Sequence, residues 1–194
     1  MLRTAALFAA GFAFALSAGW LALPKALYRA EPQPFQFNHL VHTGGKGNMS
    51  CTDCHAFRDN GSFAGIPRLE TCAACHAEPM GSSPAEKQFV ANYVKPGREP
   101  NWRVYARQPD NAFFPHAAHV KAAKLPCRQC HAGHGESSTL PLYQVNRITG
   151  YSLDVMGRPA GPFGLHRAGG MRMDDCIACH RSHHLSHSCL DCHK

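Results

Sequence analysis

Phe37-Asn38-His39-Leu40-Val41-His42, followed by Cys51-Thr52-Asp53-Cys54-His55, is the stretch on which the reading of this chain turns. Cys-x-x-Cys-His is the attachment signature of c-type haem. Its two thiols form thioethers to the porphyrin vinyl groups, and the adjacent histidine reaches the iron as proximal ligand. The signature recurs four times: Cys72/Cys75 precede His76, Cys127/Cys130 precede His131, Cys176/Cys179 precede His180, and Cys189/Cys192 precede His193. All ten cysteines are used in this way, so none remains for a disulfide or a free thiol. Structural zinc and thiol–disulfide exchange also use Cys-x-x-Cys, but neither requires histidine at the next position. With 14 histidines in 194 residues, five such placements by chance have a probability of about two in a million. The expected cofactor set is five covalently bound haem c groups.

Upstream of the first motif, His39 stands 12 residues before Cys51. The unit repeats as Phe114-Pro115-His116-Ala117-Ala118-His119, with His116 standing 11 residues before Cys127. A degenerate third copy, Phe163-Gly164-Leu165-His166, keeps one histidine, ten residues before Cys176. Residues three apart share a helix face, so one short helix carrying His-x-x-His can present imidazoles to two different irons. Five irons need five distal ligands, and His39, His42, His116, His119 and His166 supply five. His134, His183, His184 and His187 are alternates, the last three because they lie between the fourth and fifth motifs. Met49, Met156, Met171 and Met173 are further axial candidates, although a methionine ligand raises the potential and histidines are plentiful.

The motifs divide the chain into an N-terminal segment (1–30), a two-haem lobe with connector (31–111), and a three-haem lobe (112–194) with a haem-free insertion at 136–165. Residues 81–112, punctuated by Pro84, Pro96, Pro100 and Pro109, read as a connector across the lobes. The insertion reads as a β-hairpin or a partner-binding loop. About 34 exported residues per haem is too little chain for a protein core of ordinary size. The expected fold is therefore mainly irregular with short α-helices around a haem-dominated core.

Residues 5–23 carry no charge, and 19 residues are just enough to cross a bilayer as a helix. A cleaved signal peptide competes with this reading, since Ala15, Ser17 and Ala18 offer small residues for processing. Length favours an uncleaved anchor. Either way the remainder is exported, to the periplasmic face of a bacterial inner membrane. The formal charge of +7 is no argument for nucleic acid, because ten ionised propionates take the holoprotein to about −3. Arginines suit those propionates geometrically.

Phe37 to His42 followed by Cys51 to His55 resembles the class III multihaem cytochromes c. That resemblance implies that the first histidine of each pair serves its own downstream haem and the second a neighbour. His39 would ligate the haem of His55, and His116 that of His131. His42 and His119 would serve others, those of His76 and of one C-terminal motif. The stretch Trp102-Arg103-Val104-Tyr105 to Pro109-Asp110, then Phe114 to His119, looks like the membrane-anchored multihaem subunits of quinone-linked respiratory complexes, such as alternative complex III and the menaquinone reductase complex. Partners implied by this likeness are the membrane, other subunits of a quinone-linked or molybdopterin/iron–sulfur oxidoreductase complex, and small redox carriers. The second motif lacks its own histidine pair and the third repeat is incomplete, which leaves the distal ligands of the second, fourth and fifth haems open.

Histidine on both axial positions leaves no open coordination site. Electron transfer without substrate chemistry is therefore the expected function, with no catalytic residue. The competitors are a soluble periplasmic shuttle and a small oxyanion reductase with one open haem; the latter is disfavoured because all five motifs end in histidine. Intact-mass analysis of the exported protein should find five haems that survive acid–acetone extraction. A smaller covalent complement would break the motif reading.

Overall fold

The uncharged N-terminal run folds as a helix. Helix α1 (Leu2–Ser17) passes into a π-helical turn, Ala18–Ala22, and then into α2 (Leu23–Leu27). Pro24 accounts for the wide turn. It has no amide hydrogen to return to the carbonyl four residues back, and just ahead of it Leu23 bonds instead to the Ala18 carbonyl, five residues back. Arg3–Ala22 is a 20-residue span of mean hydropathy 1.8 with none of it buried against the rest of the protein. It is long and apolar enough to cross a bilayer, and a signal sequence meets the same criterion.

The computed structural model describes residues 2–105, 108, 110–131, 133–140, 142–150 and 171–193. After α2 the elements are short, as the glycine- and proline-rich sequence requires. They are β1 (Tyr28–Glu31), α3 (His39–Thr43), α4 (Cys51–Cys54), α5 (Leu69–His76), α6 (Pro84–Phe89), α7 (Cys127–Cys130), β2 (Tyr143–Asn146), α8 (Met173–Ser182) and α9 (Cys189–Cys192). Helix α6 continues as the π-helical turn Val90–Val94, and a second such turn, Ala117–Ala122, follows His116. Four of these helices begin or end in a Cys-x-x-Cys-His motif, and α8 contains the fifth.

The strand in the 136–165 insertion does not find its partner inside the insertion among the described residues. It pairs antiparallel with β1, in the register Tyr28↔Asn146 to Glu31↔Tyr143. The Arg147 amide extends the ladder to the Leu27 carbonyl (2.7 Å). The strand signal was local, whereas the partner lies more than a hundred residues away.

Residues 81–112 are more than a connector. Phe89 and Val90, with Leu69 of α5, form the small buried core. Phe35 lies against it, its ring 4.6 Å from Phe89, 5.3 Å from Tyr93 and 4.6 Å from Trp102. Gln33 locks the edge of this cluster: its side-chain amide donates to the Arg103 carbonyl (2.9 Å) and accepts from the Arg103 amide (3.0 Å). Leu69, Phe89, Val90 and Tyr143 are the buried apolar residues among those described, a meagre core for so long a chain.

Phe89→Ala should cost the haem-loaded protein ~3–5 kcal/mol in denaturant unfolding, because it removes a buried ring from the core with Leu69 and Val90. Ile148→Ala, at a side chain 79% exposed, should stay within about 0.5 kcal/mol of the parent.

Candidate haem sites

The two Phe-x-His-x-x-His units fold alike. In each, the phenylalanine lies edge-on to the first imidazole and stacks on the second. Phe37 is 4.8 Å from His39 at 81° and 4.4 Å from His42 at 18°. Phe114 is 4.8 Å from His116 at 90° and 4.4 Å from His119 at 24°. In each, too, Nδ1 of the second histidine bonds to the carbonyl four residues back: His42 to Asn38 (2.8 Å) and His119 to Pro115 (3.0 Å). That bond fixes the tautomer and leaves Nε2 free for a metal. The first copy rides on α3, capped by the Asn38 side chain accepting from the Val41 amide (3.0 Å). The second rides on the π-helical turn after His116.

The motif histidines are oriented in the same manner. His55 Nδ1 bonds to the Gly65 carbonyl (2.8 Å) and His180 Nδ1 to the Ser186 carbonyl (2.7 Å). His76 differs, since its Nδ1 donates to the Glu86 carboxylate (2.9 Å). Across elements, imidazole centres of upstream and motif histidines stand 6.1 Å apart for His42 and His76, 6.4 Å for His116 and His131, and 6.1 Å for His119 and His180. A metal–nitrogen bond of about 2.0 Å on each side, plus about 1.1 Å from nitrogen to ring centre, separates two trans imidazoles by about 6.2 Å. The three pairs match the spacing a bis-histidine iron needs. His131 and His134 are also 6.1 Å apart, but they are three residues apart on one turn rather than on facing elements.

His39 is half-buried, and its pKa is lowered to about 4, chiefly by burial, with the charges of His55, His134 and His42 adding to it. Burial likewise lowers His131, reinforced by His134, His116 and His55, and lowers His116, reinforced by His119. A lowered pKa keeps these imidazoles neutral, as a metal ligand must be. The tip of α3 is pinned from outside: Leu40 donates to the Ser137 carbonyl (3.2 Å), and Thr43 Oγ1 to the Gly135 carbonyl (2.6 Å).

Each attachment helix is one to three turns long and needs its amides satisfied. Asp53 accepts from the Ser50 amide (2.8 Å) and Asp191 from the Ser188 amide (2.8 Å). Asp175 accepts from Arg172 (3.0 Å), and both Glu99 oxygens accept from the Leu69 amide (3.1 Å). The ten cysteines are unpaired thiols, and burial pushes those of Cys54, Cys72, Cys127, Cys130 and Cys176 up. Their neighbours show which motifs adjoin. Cys54 lies near Cys72 and Cys75, Cys127 near Cys51, Cys130 near Cys179, and Cys176 near Cys130 and Cys192. The first motif is thus a neighbour of the second and third, and the fourth a neighbour of the third and fifth. Phe63 bridges the first and third, 6.3 Å from His55 and 4.2 Å from His116.

The residues present fit haem on a second count. Arg172 Nη1, four residues before Cys176, is buried with no hydrogen-bond partner among the described residues, a donor of the kind a propionate satisfies. His183, His184 and His187 are exposed beyond α8, with His187 Nδ1 turned to the Leu185 carbonyl (3.1 Å). His193 makes no ring contact with a second imidazole among the described residues, and its backbone bridges to Ala112. His166 and Met156 lie outside the described residues. Sequence reading missed Glu86, Glu99, Phe63 and the Gly65 carbonyl. Asp53 and Asp191, three residues after a serine, were visible as capping signals; the others meet their histidine or helix-end partners across eight residues or more and leave no local pattern.

No protein-family model matches the chain. It is 40% identical over 205 aligned residues to the protein named menaquinone reductase, multiheme cytochrome c subunit, of Nitratidesulfovibrio vulgaris, an alignment covering 98% of this chain and 90% of that one.

Gly47 lies hard against the backbone of His42, and a Cβ there would collide with the His42 carbonyl and Cα. Gly47→Ala should therefore displace His42 and give the reduced holoprotein a carbon-monoxide-binding fraction. Gly45→Ala, with nothing within 4 Å, should leave the spectrum unchanged.

Proposed function

Because the chain belongs to the family of multihaem cytochrome c subunits of menaquinone reductase, we propose that it is a pentahaem electron carrier that passes electrons between a menaquinone-linked membrane partner and a periplasmic donor or acceptor. The observation that carries this reading is the facing of upstream and motif imidazoles at 6.1–6.4 Å in three pairs drawn from both His-x-x-His units. Ten cysteines in five attachment motifs give five haem c groups. Each would supply one-electron exchange at iron.

The residues divide the work as follows. Cys51/Cys54 with His55 and His39 hold the first haem, and Cys72/Cys75 with His76 and His42 the second. Cys127/Cys130 with His131 and His116 hold the third, and Cys176/Cys179 with His180 and His119 the fourth. Cys189/Cys192 and His193 hold the fifth, with His166 as its distal ligand. Each His-x-x-His unit then ties two haems to one turn of helix, the first unit serving the two-haem lobe and the second the three-haem lobe. Closing both axial positions with imidazole keeps ligands off the iron, so these residues conduct rather than activate a substrate.

The N-terminal helix serves as the anchor at the periplasmic face of the inner membrane. The β1–β2 pairing begins directly after α2, and Glu31 draws in Arg29 (2.6 Å) and Arg103 (2.9 Å), so a membrane-held helix would be tied to the haem-bearing body. Partner subunits of the complex supply the quinone chemistry, and small redox carriers serve the far end.

His119→Gly should convert one haem of the five into a carbon-monoxide-binding form and slow haem-to-haem equilibration after partial reduction. If all five haems stay inert to carbon monoxide, His119 is not a ligand and the pairing scheme fails.

A further inference from the structure

Of the described histidines whose Nδ1 has a close partner, four bond to main-chain carbonyls: His42, His55, His119 and His180, at 2.7–3.0 Å. His187 does the same at 3.1 Å. His76 alone donates to a carboxylate, Glu86 Oε1 at 2.9 Å. The contact is shielded, with the two side chains 21% and 15% exposed. Glu86 is itself held in place: Oε1 accepts from the Met80 amide (2.7 Å) and Oε2 from the Gly81 amide (3.0 Å). These bonds satisfy the carboxylate and lower its appetite for the His76 proton, so the proton stays on the imidazole while the ring gains electron density.

We propose that Glu86 is a positioning and tuning residue that lowers the reduction potential of the haem attached at Cys72/Cys75 below that set by a carbonyl-bonded histidine. The reasoning is chemical. A carboxylate partner makes an axial imidazole a stronger donor. A stronger donor stabilises the ferric over the ferrous iron, and second-sphere hydrogen bonding is one of the levers on haem potential. Position gives the effect a use. The second motif has the first as its neighbour, so the lowered potential falls on the partner of the first haem in the two-haem lobe. Glu86 comes from α6, the helix that also brings Phe89 against the His76 ring (6.2 Å, 83°). The segment between the lobes thus both packs and tunes this site. The inference rests on the assignment of His76 as an iron ligand.

The test is spectroelectrochemical titration of the full haem-loaded chain. Glu86→Gln keeps an oxygen to accept from His76 but removes the charge. It should raise one of the five midpoints, leave the other four in place, and shift the low-spin electron paramagnetic resonance signal of that haem, with no carbon monoxide binding. Glu86→Asp should return the midpoint part of the way. Glu70→Gln removes the same charge from an exposed position on α5 and should move nothing. Unchanged midpoints in Glu86→Gln, or a haem that turns high-spin, would overturn the proposal, the second because it would make Glu86 a structural prop. His76→Gly separates the two failures. If one haem then turns high-spin while Glu86→Gln is silent, only the tuning is wrong. If His76→Gly leaves all five haems low-spin, the ligand assignment itself falls.

Discussion

An imidazole can hold a metal through Nε2 only when its one proton sits on Nδ1 and the ring is kept neutral and aimed. Much of this chain is arranged to meet that constraint. In the His-x-x-His units the carbonyl four residues back accepts a hydrogen bond from Nδ1–H of the second imidazole, and a phenylalanine wedges both rings into fixed, mutually different orientations. At the attachment motifs, loop carbonyls from Gly65 and Ser186 do the same for His55 and His180. Burial and neighbouring imidazoles hold His39, His116 and His131 neutral. Fixing one ring nitrogen to select the other is a second-sphere device, and here it recurs across both halves of the chain.

The sparse protein core follows from the same constraint. A chain that spends its residues on cofactor-binding turns has little left for sheet or helix packing. The aromatic cluster around Phe35, Phe89, Tyr93 and Trp102 is local to the second motif. Elsewhere, beyond the N-terminal helix and the β1–β2 pair, the described elements are helices of one to three turns, whose ends are satisfied by aspartates, a glutamate and backbone carbonyls rather than by neighbouring helices. Such turns are too short to persist alone, and covalent attachment at both cysteines of each motif is what would hold them together.

The attachment sites and the His-x-x-His units were legible because their spacing is local and repeated. Neither feature needs tertiary knowledge, since a five-residue motif and a three-residue helical offset carry their own geometry. What could not be read was everything set by contact between distant segments. The β2 strand looked like half of a hairpin, yet pairs with Tyr28–Glu31. The segment 81–112 looked like a spacer because it has no motif, yet its α6 brings Glu86 to His76 and Phe89 to Leu69. Glu86 is an ordinary glutamate in the first turn of a helix, and its sequence neighbourhood carries no sign of its partner. The approach of Cys51 to Cys127 and of Cys130 to Cys179 is likewise a product of tertiary contact.

The central claim is that each iron is closed on both faces by protein ligands. The most direct measurement is the optical spectrum of the dithionite-reduced, full-length holoprotein before and after adding carbon monoxide. Closed bis-histidine haems predict a low-spin spectrum that the gas leaves unchanged. A stoichiometric carbon monoxide complex under native conditions would mean an open or labile iron, contradicting the account of this chain as a conductor and returning substrate chemistry to consideration.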